Sequence, residues 1–235
     1  MNDYASLERQ LTAALALERR PVAVSYLESP PAGVAAFTGN LPSGCSFWPL
    51  AAQGRIFYTV AGDHYNCPIG SYTHNVPLPP DRAPELEQTL ALMGNVGYIR
   101  MEEIPGIYRL PSTPAVVVYA PLGETPADPD VVVFSGRPAR LMLLGEAAIR
   151  AGAVHTPLLS RPTCMALPAA MREGVVFSNG CIGNRVYTDL GEDELYAAVS
   201  GKLLAAIANE AAVIADANHQ LAGYHRAKRE SFATA

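Results

Sequence analysis

Apolar and polar residues follow two different periodicities along the chain, and the pattern predicts both helices and strands. The spacing of Leu7, Leu11 and Leu15 places them on one face of a helix that Asp3 caps and that ends before Pro21. Two Val-rich runs, residues 116–119 and 131–134, are continuous rather than alternating. Such runs are typical of strands that are buried on both faces.

Strands and helices alternate along the chain, though not strictly. Strands are predicted at residues 22–27, 55–60, 116–119, 131–134 and 174–177. Further helices are predicted at residues 46–53, 84–92 and 138–150, and a long Ala-rich helix at 192–229 with a break near Gly201. The fold class is therefore α+β or α/β, with a mixed sheet flanked by helices and a long C-terminal helix. No change of composition marks a boundary, so residues 1–235 are predicted to form a single domain.

Composition narrows the class of protein. Of 235 residues, 49% are hydrophobic and 17% are charged, which is typical of a well-packed globular domain. The net charge is -5 and no basic block is present, so nucleic acid is not an expected partner. No secretory signal and no apolar run of about 20 residues is visible, which predicts a cytoplasmic protein that does not cross a membrane.

The cysteines are the main chemical feature. Cys45, Cys67, Cys164 and Cys181 each stand beside glycine, proline or a small polar residue at the predicted start of a helix. Free N–H groups and the helix dipole stabilise thiolates there, which indicates metal ligands or nucleophiles. In a reducing cytoplasm, disulfides are a weaker interpretation.

The spacing of the four cysteines contains no CxxC pair of the kind found in structural zinc sites. Four cysteines from separate loops are nevertheless what a fully ligated 4Fe-4S cluster requires, and the neighbouring glycines allow backbone N–H groups to approach its sulfur atoms. If only three bind, one iron stays open to substrate. Two alternatives are that the cysteines bind zinc, or that they are small buried hydrophobic residues.

Three further residues belong to the candidate site. Arg185 follows Cys181 in a Gly-rich loop, where its guanidinium could balance the charge of a cluster or bind an anionic ligand; the alternative is a surface salt bridge. His64 is expected to shape the pocket together with nearby tyrosines. His64 or His74 could also act as base for a Cys67 nucleophile.

A short internal similarity is visible around two of the cysteines. Residues 67–70 read Cys-Pro-Ile-Gly and residues 181–183 read Cys-Ile-Gly, and each follows a predicted strand and a polar turn. If the chain consists of two similar halves that share one core, these cysteines face each other across a cleft.

Several segments together resemble the domain-of-unknown-function family 169, also called the archaeal conserved-region family. The resemblance covers nearly the whole chain and implies a single family domain whose cysteine loops are characteristic elements. The name of the family states no activity, so the resemblance implies neither a substrate nor a catalytic residue. The segments are Pro21 to Val24, Cys45 with Trp48 and Ala51-Ala52, Phe57 to Thr59 with His64, Cys67 to Gly70, Ala120 to Leu122, Pro129 to Val132, Cys164, and Gly180 to Arg185.

These observations predict an iron-sulfur protein, with a 4Fe-4S cluster as cofactor, that performs redox or cluster-assisted chemistry. Its expected partners are a small-molecule substrate or a redox partner, and the C-terminal helix offers a surface for homo-oligomerisation. One alternative is a metal-free module that binds or senses a small molecule. Another is an enzyme with a cysteine nucleophile. No GxGxxG, GxxxxGK[ST], HExxH or GxSxG motif is present.

Overall fold

A mixed sheet is the centre of the fold. The computed structural model describes residues 3–153, 158–159 and 161–233. Its strands are β1 (Val22–Leu27), β2 (Phe57–Thr59), β3 (Val116–Pro121), β4 (Val131–Gly136), β5 (Leu158–Leu159), β6 (Val175–Ser178) and β7 (Leu195–Ser200). They lie in the order β2-β3-β1-β4-β7-β6-β5. Neighbouring strands are antiparallel except β5 and β6, which are parallel.

Helices cover both faces of this sheet. They are α1 (Tyr4–Leu15), α2 (Phe47–Ala52), α3 (Pro68–Thr73), α4 (Pro84–Asn95), α5 (Pro138–Arg150), α6 (Ala166–Glu173), α7 (Ile182–Tyr187) and α8 (Leu204–Ala233). Short 3-10 turns lie at Gly44–Ser46, Ala61–His64, Met101–Gly106, Leu122–Glu124, Thr163–Met165 and Gly201–Leu203. Within the described ranges, no helix has both the length and the apolar character needed to cross a bilayer.

The predicted fold class is confirmed: helices flank a mixed sheet, and a long helix ends the described chain. The prediction of a helix over residues 192–203 was wrong, because β7 occupies residues 195–200. Alanine favours helices, but β7 lies between β4 and β6, and pairing with both neighbours outweighs that propensity. The sequence also predicts a loop over residues 155–163, and part of it lies outside the described residues.

Gly201 marks the end of β7. Its N–H donates to the carbonyl of Asp130 at 2.8 Å. A Cβ at this position would lie 1.8 Å from the carbonyl oxygen of Pro129, so only glycine fits. At the predicted break near Gly201, the backbone at the end of β7 therefore packs directly against the backbone just before β4.

One face of the sheet packs against α1, α5 and α8. Leu11, Leu144 and Ile207, one from each helix, are fully buried against Phe134 of β4. Apolar residues on one stripe of each helix produce this layer. Only the first part of α8, as far as Ala211, is buried. The exposed remainder includes Leu221, Tyr224 and Phe232, and oligomerisation through it stays a prediction.

The opposite face packs against α2 and α6 and is rich in aromatic side chains. Phe47 of α2 lies with its ring centroid 5.2 Å from that of Tyr119 on β3. Phe57 of β2 stacks on Tyr119 at 5.5 Å. Trp48 meets Tyr196 of β7 edge to face at 5.0 Å. Burial of large rings makes this layer rigid, and the cysteine loops lie on the same side.

The strand order is the same in both directions from the centre of the sheet. Strands β1 and β4 pair antiparallel around Ala23 and Val132. Outward from this pair, the first half (residues 22–124) continues with β3 and β2, and the second half (residues 131–203) with β7 and β6. The third strand of each half, β3 or β7, runs into a 3-10 turn. The strand order therefore agrees with two similar halves on either side of the β1–β4 pair.

The register supports this relation residue by residue. Val22 pairs with Pro121 and its equivalent Val131 pairs with Ser200. When the register is followed outward from the β1–β4 pair, Thr59 of β2 and Ser178 of β6 occupy equivalent positions in the two halves. Helix α5 and strand β5 have no counterpart in the first half.

We expect Leu144→Ala to lower the free energy of unfolding by about 2–5 kcal/mol, because it leaves a cavity among the helices of the buried layer. Urea denaturation monitored by circular dichroism measures this loss. Met142→Ala on the same helix is the control, since its side chain is 51% exposed and its loss should stay within about 0.5 kcal/mol. Equal losses in the two variants would contradict the assignment of this face of α5 to the core.

Candidate functional site

Each half presents its cysteines on equivalent elements. Cys45 lies in the 3-10 turn before α2, and Cys164 lies in the turn before α6. Cys67 is the N-cap residue of α3 and Cys181 is that of α7. The predicted placement of cysteines at helix starts thus describes two pairs, one from each half.

The spacing within these elements also agrees. Pro49 and Pro168 each stand four residues after the cysteine of their turn. Thr59 and Ser178, equivalent by strand register, each stand fourteen residues after it. Between strand and second cysteine, the first half has the additional 3-10 turn Ala61–His64.

The four cysteine segments meet on the aromatic side of the sheet. The turn with Cys45 contacts α3, α7 and the turn with Cys164, and α3 also contacts that second turn. The backbone N–H of Cys181 donates to Thr163 Oγ1 at 2.6 Å. Residues more than a hundred positions apart in the chain are therefore neighbours in space.

Electrostatic interactions connect all four thiols. Burial is the main cause that raises the pKa of Cys45, Cys67 and Cys164, and the charges of other cysteines raise it further. Taken pair by pair, Cys164 interacts with the other three cysteines, Cys67 with Cys45 and Cys181, and Cys45 with Cys181. All four are free thiols. Within the described residues, no three side chains from His, Cys, Asp and Glu form a group that could hold a metal ion.

In each half, one cysteine is more deeply buried than the other. Cys45 and Cys164 are buried, whereas Cys67 and Cys181 are partly exposed. Burial raises the pKa of Cys67 to about 11, although the N–H of Gly70 lies 3.3 Å from its sulfur and opposes the shift. At Cys67 the loss of water therefore outweighs the stabilisation of the thiolate by one backbone donor at the helix start.

His64 lies beside the turn that holds Cys45. Its Nε2 is 2.8 Å from Thr59 Oγ1, and this hydroxyl also lies 3.3 Å from the carbonyl oxygen of Val117. Nδ1 faces Gly44, where a Cβ would lie 3.3 Å away. Burial and the neighbouring His74 lower the pKa of His64 to about 3, so the ring is neutral.

His74 stacks on His64 with ring centroids 5.7 Å apart. Its Nδ1 lies 3.0 Å from the carbonyl of Gly70, which can only accept, so Nδ1 is protonated. Burial lowers the pKa of His74 to about 4. The hydrogen bonds of the described residues pair neither imidazole with a cysteine sulfur. This geometry does not support a Cys67 nucleophile activated by either histidine.

Arg185 organises the loop around Cys181. Its guanidinium donates to the carbonyls of Asn179, Gly191 and Glu194. These bonds fasten α7 to the segment before β7. A direct role of Arg185 in binding a cofactor or an anion stays a prediction.

Sequence reasoning missed several polar residues near the cysteines. In the described part of the chain, the hydroxyls of Tyr26 and Tyr119 and both amide atoms of Asn184 are buried without a hydrogen-bond partner. Tyr119 is close enough to interact with Cys45, and Tyr26 with Cys164. A tyrosine inside a Val-rich strand was the available signal, since a buried phenol normally has a partner.

We expect Thr163→Val to lower the free energy of unfolding by about 1–3 kcal/mol, because the variant cannot accept the hydrogen bond from the N–H of Cys181. Urea denaturation checks the loss. Thr12→Val on α1 provides the control and should change stability by less than about 0.5 kcal/mol. An unchanged midpoint for Thr163→Val would show that this bond does not hold the two cysteine loops together.

We further expect stability to fall as the pH drops below about 6.5, the pKa of histidine in an unfolded chain. His64 and His74 stay neutral when folded, with a pKa of about 3 and about 4, so the unfolded chain binds more protons in this range. Each contributes a loss of about 1.4 kcal/mol per pH unit, which ends at its folded pKa. Urea titrations at about pH 7 and about pH 5 measure the slope.

The variant His64→Gln/His74→Gln should show a smaller pH dependence than the wild type. His219→Gln should keep the wild-type slope, because this residue is exposed on α8. An identical slope in the double variant would mean that the two imidazoles are not buried in neutral form.

Comparison with known proteins gives a family but no described activity. A family model, DUF169, described as an uncharacterised ArCR, matches residues 10–210, which include all four cysteines. No curated protein and no solved structure matches the chain significantly. The chain belongs to the DUF169 family.

Proposed function

We propose that the protein binds an iron-sulfur cluster, a 4Fe-4S cluster, through Cys45, Cys67, Cys164 and Cys181. Its role is redox or cluster-assisted chemistry on a small molecule in a reducing cytoplasm. One observation supports this most: four thiols from four separate segments, two from each half, interact with one another at a single place.

A guest with several metal atoms does not require the compact ligand set of a single ion. Zinc binds thiolates at about 2.3 Å, so its ligand sulfurs lie within about 4 Å of one another. Among the described side chains, no three from His, Cys, Asp and Glu form a group that could hold a metal ion. A cluster binds each cysteine to a different iron, so the ligand sulfurs are further apart. The four thiols interact electrostatically but do not form a compact ligand set, which is consistent with the wider spacing of cluster ligands.

The polar groups around the thiols also suit a sulfur-rich guest. In the described part of the chain, Trp48 Nε1, Asn184 Nδ2 and the hydroxyls of Tyr26 and Tyr119 are buried donors without an acceptor. Inorganic sulfide and ligated thiolates accept hydrogen bonds. Unpaired buried donors are destabilising, so a guest that offers acceptors would stabilise the folded chain.

Binding of iron would change the ionisation of the cysteines. Burial holds the pKa of Cys67 at about 11, so this thiol is protonated at neutral pH. A metal ligand must be a thiolate, and the positive charge of iron provides the compensation that the protein itself does not. Cluster binding should therefore release protons from the protein.

A bound cluster supplies electron transfer when four cysteines ligate it, or an open iron for a substrate when three do. The chain excludes water from the side of Cys45 and Cys164, which are buried. It leaves Cys67 and Cys181 partly exposed, so a redox partner or substrate would approach from their side.

The metal-free alternative has one observation in its favour. A groove of about 150 Å³ lies between α3 and α4, and its lining includes Pro68, Tyr72 and Arg109. Arg109 lies over the ring of Tyr72 at 4.2 Å. An anionic small molecule could bind there without any metal, one helix turn from Cys67.

We expect protein purified without oxygen to contain about four irons and four sulfides per chain and to absorb broadly near about 400 nm. Each change of a cysteine to serine should reduce the iron content, because the four serve one centre. Elemental analysis with absorption spectroscopy measures both quantities. Removal of iron with a chelator should lower the unfolding midpoint.

Met165→Leu provides the control, because this buried neighbour of Cys164 has a similar volume and is not a ligand. It should keep its iron. Stoichiometric zinc without sulfide would identify a different metal site. Protein free of metal, with only one cysteine needed for activity, would overturn the cluster and favour the nucleophile.

A further inference from the structure

Helix α8 continues well beyond the core that holds its first two turns. Its buried side chains end at Ala211, and residues 212–232 extend for about 30 Å. Leu221, Tyr224 and Phe232 in this extension are 58%, 59% and 72% exposed. Helices in proteins are stabilised mainly by packing, so large apolar side chains on an unburied extension indicate contact with a second surface.

A narrow stripe of residues runs along this extension from the edge of the core. Its members follow one another at intervals of four, three, four, three and four residues. Such alternation is the repeat of a coiled coil, which indicates another helix as the partner. We name this surface the outer stripe, and its residues are Glu210, Ile214, Ala217, Leu221, Tyr224 and Lys228.

The two ends of the outer stripe carry opposite charges. Glu210 lies at the core end, and Lys228 lies about 27 Å further along the helix. The intervals between the residues read the same in both directions. A second copy of the helix that runs antiparallel therefore presents its Lys228 opposite Glu210, and its Glu210 opposite Lys228, so the stripe is complementary in charge to its own reverse.

The same register also packs the apolar residues of the outer stripe. It places Tyr224 opposite Ile214 and Leu221 opposite Ala217, so a larger side chain meets a smaller one in each layer. Layers of this kind fill the space between two helices without voids. A parallel pair would instead place Lys228 beside Lys228 of the second copy, where like charges repel.

Glu210 is already fixed in position for such a contact. Its Oε2 accepts from Arg150 Nε at 2.7 Å, and its side chain remains 29% exposed. A carboxylate accepts from more than one donor, so Lys228 of a second copy completes an ion-pair network. We propose that the outer stripe is a dimerisation surface on which two copies of this chain pack antiparallel, with Lys228 of each copy against Glu210 of the other.

A membrane surface fits the extension less well than a second copy. A helix that lies on lipid presents a broad apolar face bordered by basic residues. The outer stripe is narrow, and an anionic lipid surface would repel Glu210 at its core end. The inference requires no metal, so it is independent of the proposed cluster.

Analytical ultracentrifugation of the whole chain over a range of concentrations tests this surface. We expect the wild type to dimerise. Ala217→Glu buries a charge within the outer stripe and should raise the dissociation constant by about 100-fold or more. Ala212→Glu is the matched control, since Ala212 is exposed on the opposite side of the helix. Circular dichroism verifies that each variant is folded.

A second pair of variants tests the orientation of the two helices. Lys228→Glu brings two carboxylates together at each end of an antiparallel dimer and should raise the dissociation constant by about tenfold or more. A parallel dimer would exchange one like-charge contact for another and would keep its constant. Arg226→Glu is the control, because it makes the same change of charge on the opposite side of the helix.

Dimers in the wild type and both controls, with weaker association in Ala217→Glu and Lys228→Glu, support the inference. A wild-type monomer at every concentration would overturn it, and sedimentation of that monomer with vesicles of phosphatidylserine and phosphatidylcholine would identify a membrane as the covering surface. Dimers that Ala217→Glu leaves intact would place the interface elsewhere and reject the outer stripe. Equal constants for Lys228→Glu and Arg226→Glu would contradict the antiparallel register.

Discussion

The antiparallel pairing of β1 with β4 is the contact on which the site depends. It joins the halves around Ala23 and Val132, so that equivalent loops from each half emerge on the same side of one sheet. Residues 22–24 of β1 pair with both β3 and β4, and residues 131–133 of β4 pair with both β1 and β7, which makes this region hard to deform. Each cysteine stands a fixed number of residues from a strand of its own half. The pairing of β1 with β4 therefore determines where the four cysteines lie.

The same geometry places cysteine thiols where their ionisation is unfavourable. The inner cysteines lie against an aromatic layer that excludes water, and burial raises the pKa of their thiols. The neighbouring charges that act most strongly on these thiols are those of other cysteines, and they raise the pKa further. The phenols of Tyr26, Tyr119 and Tyr196 lie close enough to interact with them. The environment is poorly suited to a free thiolate.

Much of the fold was predictable from local patterns. The Val-rich runs at residues 116–119 and 131–134 became central strands, and the helix predicted from residue 138 to 150 has those bounds. The segment at residues 192–203 was not predictable in this way. Its alanines favour a helix, and it forms a strand because its backbone pairs with two neighbouring strands. Pairing with strands that are distant in the sequence cannot be recognised from the local pattern of residues.

The candidate site was predictable only in part. Glycine and proline beside the cysteines indicated loops at helix starts, and the structure has them there. Sequence could not show that burial would oppose ionisation, because that depends on what packs above each sulfur. Nor could it select Asn184, which resembles any polar residue of a short helix until its unpaired amide is seen in space.

The contribution of two cysteines by each half also has a consequence for biosynthesis. Cys45 and Cys67 leave the ribosome long before Cys164 and Cys181 are translated, and β1 cannot pair with β4 until both have emerged. A guest held by all four sulfurs can therefore be inserted only after translation has passed residue 181. For the proposed cluster, insertion would be a late step, and Cys45 and Cys67 would stay without a metal until then.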